Sequence, residues 1–286
     1  MRIPHDSKLI GSMTTQTIGF IGAGNMARSL AGGLLNNGWP ARHLLLSDPD
    51  ASQRRGAEQA LGLKTLAANA ALAAAADVLV LAVKPQNLKA IAEEIAATVQ
   101  EKRPLVISVV AGIRVDDIER WLGGDLPIVR VMPNTAALIG SGATGLFANA
   151  RVNGAQRDAA ESILRAVGVT VWVEDEALID TITAISGSGP AYFFLVMEVL
   201  EKAAIKHGLD LKTARLLTLE TAYGAAKMAL EGGEEPAQLR QRVTSPGGTT
   251  EKAVQTLEAG RIESIFNDAV VAAIKRAREL ADLFGK

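Results

Sequence analysis

From Thr17 to about Glu174, short apolar runs alternate with longer stretches of mixed character. The runs Thr17–Ile21, Leu44–Ser47, Val78–Ala82, Leu105–Ser108, Ile128–Met132, Ala143–Phe147 and Val169–Val173 read as strands. Several are rich in Val and Ile and bounded by Gly, Pro, Asp or Asn. Helices fit between the earlier ones, and that alternation predicts a doubly wound, mostly parallel sheet. The segment between Met132 and Ala143 is short for a crossover, so the last strands are expected to run antiparallel. Beyond Glu176 the strand signals stop. Helical runs are predicted at Ala177–His207, Leu211–Glu231, Pro236–Arg242, Thr250–Ala259 and Ile262–Phe284, with Gly208, Gly232-Gly233, Pro246-Gly247-Gly248 and Gly260 at the breaks. The pattern divides the chain near residue 175. An α/β domain is expected over 14–175 and an all-α domain over 176–286, with residues 1–13 a mobile extension outside the fold.

The stretch from Ala191 to Met197 (AYFFLVM) is apolar on more than one face. It fits either a homodimer contact or a buried central helix, and a homodimer through the C-terminal helices is the expectation. Composition narrows the chemistry. The 286 residues carry 30 basic and 31 acidic side chains, a balance that gives no reason to expect nucleic acid or a membrane surface as partner. Cysteine is absent, which removes thiolate nucleophiles and thiolate metal sites. His5, His43 and His207 have no metal-ligand spacing. No unbroken apolar run reaches the roughly 18 residues of a membrane span, and the first twelve residues lack a signal-peptide core, so a cytoplasmic location is expected.

The sharpest local signal is Gly22-Ala-Gly24-Asn-Met-Ala27, a GxGxxA pattern between the first strand and a helix. Gly22 permits the tight turn, Gly24 lets the backbone approach a pyrophosphate, and Ala27 lets the helix pack closely on the sheet. The first domain therefore reads as a Rossmann-like dinucleotide-binding domain. The second strand ends at Ser47-Asp48-Pro49. Asp48 could accept from a ribose 2′-OH and favour NADH, or cap the turn before residues 50–56. Ser47 with Arg54 or Arg55 could hold a 2′-phosphate. The residues leave both open, with NADPH slightly favoured. Lys84, Pro85, Val110, Ala111 and Gly112 stand at further strand ends, where ligands of open α/β sheets bind.

Five motifs occur in order: Ile21 to Met26, Ala82-Val-Lys-Pro85, Met132-Pro-Asn-Thr135, Ser186-Gly-Ser-Gly-Pro-Ala-Tyr192 and Thr244-Ser-Pro-Gly-Gly-Thr-Thr-Glu251. Together they resemble the pyrroline-5-carboxylate reductase family, from about Thr17 to the last helix, and the segment 243–258 is the most specific part. The resemblance implies reduction of 1-pyrroline-5-carboxylate to L-proline, the last step of proline biosynthesis, by hydride from NADPH or NADH. It implies cofactor contacts from Ile21, Gly22, Ala23, Gly24, Asn25, Met26, Ser47, Pro49, Asn69, Ala82, Val83, Lys84, Pro85 and Ala111. It implies substrate contacts from Ser245, Gly247, Gly248, Thr249 and Thr250, with Glu176 close by, and Thr250 as proton donor. It further implies an interwoven homodimer that can assemble into a higher oligomer. Arg242 departs from the pattern, standing where some relatives carry Asn.

The chemistry suits this residue supply. Reducing a cyclic imine needs hydride at C5 and a proton at nitrogen, and that proton can arrive from water, so positioning matters more than a strong acid or base. The loop Ser245–Thr250 opens a helix, whose free N–H groups and dipole suit a carboxylate, with the Thr249 and Thr250 hydroxyls as added donors and caps. Two other readings compete. A hydroxyacid dehydrogenase would need a catalytic lysine, for which Lys202 and Lys227 are available without the expected local motif. A cofactor-binding sensor would lack turnover.

Overall fold

The computed structural model describes residues 16–285, so the expectation of a mobile segment over 1–13 lies outside the described residues. Eight strands form one sheet among these residues: β1 (Ile18–Ile21), β2 (Leu44–Ser47), β3 (Lys64–Leu66), β4 (Val78–Leu81), β5 (Leu105–Ser108), β6 (Ile128–Met132), β7 (Gly142–Ala148) and β8 (Gly168–Trp172). Their order is β3-β2-β1-β4-β5-β6-β7-β8. The first six run parallel; β7 pairs antiparallel with β6, and β8 runs parallel to β7. Both last strands thus oppose the rest, as the short link after Met132 implies. Strand β3, with the sequence KTL, is an edge strand missed from the sequence because three residues make no apolar run.

The interior strands are apolar on both faces because helices cover both. On one side pack α1 (Asn25–Asn36) and α2 (Ala51–Leu61), with α6 (Gly154–Arg165); Ala27, Leu30, Ala31 and Leu34 of α1 recur at helical spacing and are buried. On the other pack α3 (Asn69–Ala75), α4 (Pro85–Lys102) and α5 (Val115–Trp121), with Leu88, Ala92, Ile95 and Val99 forming the stripe of α4. Pro85 occupies the first turn of α4, where its missing N–H costs nothing.

The helical run after Glu176 is not one helix. It comprises α7 (Leu178–Ile182), a π turn (Thr183–Gly187) and α8 (Gly189–Lys206). The Ser186–Pro190 motif spans the end of the π turn, a bend at Ser188 and the start of α8, with Pro190 in its first turn. Then follow α9 (Leu211–Glu231), α10 (Pro236–Arg242), α11 (Thr249–Ala259) and α12 (Ile262–Phe284). Contacts within the chain define two compact units, 16–188 with 272–285, and 189–271. The division falls thirteen residues after the composition boundary at 175, and the end of α12 counts with the sheet.

Within the larger unit, β6, α7 and α12 are joined by charge. Arg130 is almost fully buried; its guanidinium donates to Glu176 at 2.9 Å and to Asp180 at 3.5 Å. Glu176 also accepts from the Val115 N–H at the start of α5 (2.8 Å), and Arg114 pairs with Asp282 at 2.7 Å. The Asp282 carboxylate raises the affinity of Arg114 for its proton.

The smaller unit has the opposite character. Gly189 is the one buried residue of the 18 in α8, and Ala214 the one of the 21 in α9. Phe193 and Phe194 are 68% and 63% exposed, with Leu195, Val199, Leu216 and Leu217 also open. Among the described residues nothing covers this apolar face, which fits an association surface rather than a buried central helix. By length and composition alone the run Leu178–Lys206 would also pass as a membrane span, although charged and polar positions interrupt it.

Removing the Arg130 guanidinium leaves two carboxylates facing each other without their cation. Arg130→Met is expected to lower stability by about 3 kcal/mol in urea-induced unfolding. A change below about 0.5 kcal/mol would show that the ion pair does not hold β6 to α7.

Candidate active site

The registers of β1 with β2 and β4, and of β4 with β5, bring Ile21, Ser47, Leu81 and Ser108 to the same level. The loops that follow, 22–24, 48–50, 82–84 and 109–112, emerge together at the carboxyl end of the sheet. The chain reverses its order of strands between β1 and β4, the point where such sheets bind ligands.

Gly22 has φ of +98°, and a Cβ on it would stand 2.4 Å from the Ala82 carbonyl oxygen. Its N–H donates to the Ser47 carbonyl at 2.7 Å. Gly24 differs: a Cβ there would meet nothing within 4 Å, so the space above it is open. It is also the N-cap of α1, and no side chain caps that helix. Free first-turn N–H groups, a positive helix end and an open approach fit a dinucleotide pyrophosphate. Ala23 and Ala27 are buried, while Asn25 and Met26 are accessible on the first turn. Lys84 is exposed as the N-cap of α4, beside Ala82, Val83 and Pro85, and Ala111 is exposed after β5.

The end of β2 is arranged differently from the sequence expectation. Ser47 is fully buried, and its hydroxyl donates to Asn69 Oδ1 at 2.9 Å. These two side chains fasten β2 to α3, and the Ser47 hydroxyl is engaged there rather than free for a 2′-phosphate. Pro49 is exposed. Asp48 accepts from the Ala23 N–H (3.0 Å) and the Asp50 N–H (2.9 Å). Asp48 thus caps the turn before α2, and Asp50 is the N-cap of the helix itself, accepting from the Ser52 N–H at 2.7 Å; hydrogen bonds from the Ser52 side chain and N–H lower its pKa. Arg54 donates to the carbonyls of Asp48 (2.7 Å) and Pro49 (3.0 Å), while Arg55 is exposed.

Two further motifs meet in the same unit. Asn134 of the MPNT motif donates to the Ser186 carbonyl (3.1 Å) and accepts from Ala143 N–H (3.3 Å). A Cβ on Gly187 would lie 2.6 Å from the methyl of Met132. The π turn and β6 thus approach closely, which accounts for both motifs. Glu176, expected beside substrate, has its carboxylate engaged by Arg130 and Val115.

Ser245, Gly247, Gly248, Thr249 and Thr250 lie in the smaller unit. Gly247 has φ of +73°, and its N–H donates to Glu251 at 2.9 Å. The N-cap of α11 is Gly248 with no side-chain bond, and the helix begins at Thr249. Thr249 and Thr250 are therefore first-turn residues, not caps. Their N–H groups join a helix end that stands open, as a carboxylate requires. Arg242 pairs with Glu234. Lys202 pairs with Glu198 one turn earlier, and Lys227 stands over the Tyr223 ring.

A mostly parallel sheet with this glycine loop at its switch point, and an all-helical unit beside it in sequence, is the arrangement of the NAD(P)-dependent oxidoreductases. A pyrroline-5-carboxylate reductase of Pseudomonas aeruginosa is 49% identical over 274 residues, covering 96% of this chain and 100% of that one. The chain belongs to the pyrroline-5-carboxylate reductase family. The profile for pyrroline-5-carboxylate reductase dimerisation matches residues 176–280, which include the exposed apolar helices, and one for NADP oxidoreductase, coenzyme F420-dependent, matches 17–112. A solved pyrroline-5-carboxylate reductase from Coxiella burnetii superposes with a TM-score of 0.90 at 47% identity, over 93% of this chain and 99% of that one. A Plasmodium falciparum pyrroline carboxylate reductase with NADP bound gives 0.83 at 29% identity, over 94% and 99%.

The two glycines separate folding from binding. Gly22→Ala is expected to cost about 2–3 kcal/mol in urea-induced unfolding, through its positive φ and the Ala82 clash. Gly24→Ala is expected to keep stability within about 0.5 kcal/mol and to weaken NADPH binding about tenfold in a fluorescence titration. Normal binding by Gly24→Ala would place the pyrophosphate elsewhere.

Proposed function

We propose that this protein reduces 1-pyrroline-5-carboxylate to L-proline, with NADPH or NADH as reductant, as the last step of proline biosynthesis. The observation that carries this reading is the full-length match to pyrroline-5-carboxylate reductases together with the open helix start at 248–250. The bound dinucleotide supplies hydride to C5 of the imine. The chain's own residues bind and orient. The loop at Gly22–Met26 and the strand ends at Pro49, Ala82–Pro85 and Ala111 receive the dinucleotide. Ser47 and Asn69 support that surface from below. Ser245, Gly247, Gly248 and the first-turn N–H groups of α11 hold the substrate carboxylate, aided by the Thr249 and Thr250 hydroxyls. Thr250 delivers the proton to the imine nitrogen. Glu176 acts indirectly, by fixing Arg130 and the start of α5.

NADPH is slightly favoured. Asp48 already accepts two backbone N–H bonds, and the cations Arg54 and Arg55 follow it, a setting that favours a 2′-phosphate over a bare 2′-OH. The protein acts in the cytoplasm as a homodimer built through α8 and α9, and such dimers assemble further.

The direct test follows absorbance at 340 nm with and without Δ1-pyrroline-5-carboxylate. Rapid substrate-dependent loss, faster with NADPH, is expected; no loss with either dinucleotide, from folded protein that binds them, would overturn the activity. Thr250→Ala is expected to lower kcat about 10²-fold with unchanged NADPH affinity. Unchanged kcat would leave proton delivery to water. Phe193→Glu with Phe194→Glu is expected to weaken self-association at least about 100-fold in sedimentation. A dimer of undiminished strength would move the interface to another face.

A further inference from the structure

Two side chains outside the GxGxxA pattern fix the peptides on either side of Ala23. Asp48 takes the Ala23 N–H at 3.0 Å. Arg28, in the second turn of α1, donates from Nε to the Ala23 carbonyl at 2.7 Å. The same guanidinium reaches α2, where its Nη2 donates to the Gln53 carbonyl (3.0 Å) and to Gln53 Oε1 (2.8 Å). A trans peptide sends its C=O and the following N–H in opposite directions. Holding the Ala23 oxygen on the Arg28 side therefore turns the Gly24 N–H to the far side, away from α2.

The glycine at position 56 belongs to the same arrangement. It lies inside α2, where glycine is less favourable than alanine. A Cβ there would stand 2.8 Å from Arg28 Nη2 and 3.1 Å from Nη1. Gly56 thus leaves room for the guanidinium. Arg28 forms no salt bridge among the described residues; the hydrogen bonds of its guanidinium go to the neutral acceptors of Ala23 and Gln53.

We propose that Arg28 is a positioning residue of the dinucleotide site: with Asp48 behind it and Gly56 making room, it presets the Ala23–Gly24 peptide so that the Gly24 N–H is offered to the pyrophosphate. The inference rests on the reading of this loop as the dinucleotide site. Preset donors raise affinity because no ordering is left to occur on binding. Asp48 in this arrangement acts on the loop, whichever dinucleotide is bound.

The test is a fluorescence titration of NADPH without imine substrate, beside thermal unfolding. Arg28→Ala is expected to bind about tenfold more weakly, and in turnover to raise the dinucleotide KM far more than it lowers kcat. Arg28→Lys, with one ammonium in place of a fork, is expected to recover only part of the affinity. Gly56→Ala removes no hydrogen-bonding group. It is expected to bind about threefold more weakly while its melting temperature holds or rises. Arg28→Ala binding within twofold of wild type would overturn the proposal. So would weakened binding in Arg28→Ala alone, in step with a fall in melting temperature and with Gly56→Ala binding normally, since that marks loosened packing of α1 on α2. Wild-type protein that fails to bind NADPH sinks this inference with the site. Wild type that binds NADPH but does not turn over the imine sinks the proposed activity alone, and the Arg28 comparison still decides the inference.

Discussion

The passage of the chain at Gly22, against the carbonyl of Ala82, is the constraint on which the site depends. The first and fourth strands end side by side, and the loop leaving β1 must cross the end of β4 without a side chain. Only a residue tolerant of φ near +98° can make that turn. Once it is made, α1 starts with its unpaired N–H groups above the sheet, and Gly24 leaves the approach open. Strand ends, helix end and open space then converge at one level set by the registers. Dinucleotide binding follows from this geometry, which is shared by many oxidoreductases; it does not choose a substrate.

The helical unit has a different physics. The sheet unit buries two continuous apolar layers and is complete as a folded body. Helices α8 and α9 bury almost nothing, although their composition is that of a core. Apolar helices left uncovered within a chain gain their burial from another molecule. The dimerisation match across 176–280 agrees with that demand. Fold and association are therefore linked in this region: the uncapped helix start at Gly248 belongs to the same unit as the uncovered apolar helices.

Much of this was legible in the sequence. Buried strands of Val, Ile and Leu announce themselves by composition, and the GxGxxA pattern at the first strand located the cofactor end. The short link after Met132 disclosed the reversal at β7. What escaped was set by tertiary contact. Strand β3 is three residues long and exists because β2 offers it an edge. The π turn at Thr183–Gly187, where Gly187 lies close to Met132, has no signal in the local sequence. Asp48 carried two readings from its position, and the bond to Ala23 adds a third that spacing does not reveal. Glu176 was placed near substrate by resemblance, but its partner Arg130 lies 46 positions earlier and is visible only in the fold. The closeness of Gly56 to the Arg28 guanidinium, across 28 positions, is set by the packing of α1 on α2 and leaves no mark in the local sequence.

The most direct measurement follows the transferred atom. With dinucleotide deuterated at the transferable position of the nicotinamide C4, the reaction with 1-pyrroline-5-carboxylate is run to completion and the product examined by NMR and mass spectrometry. The account requires proline bearing one deuterium at C5. Proline without deuterium, deuterium at another carbon, or oxidised dinucleotide with no proline would contradict it.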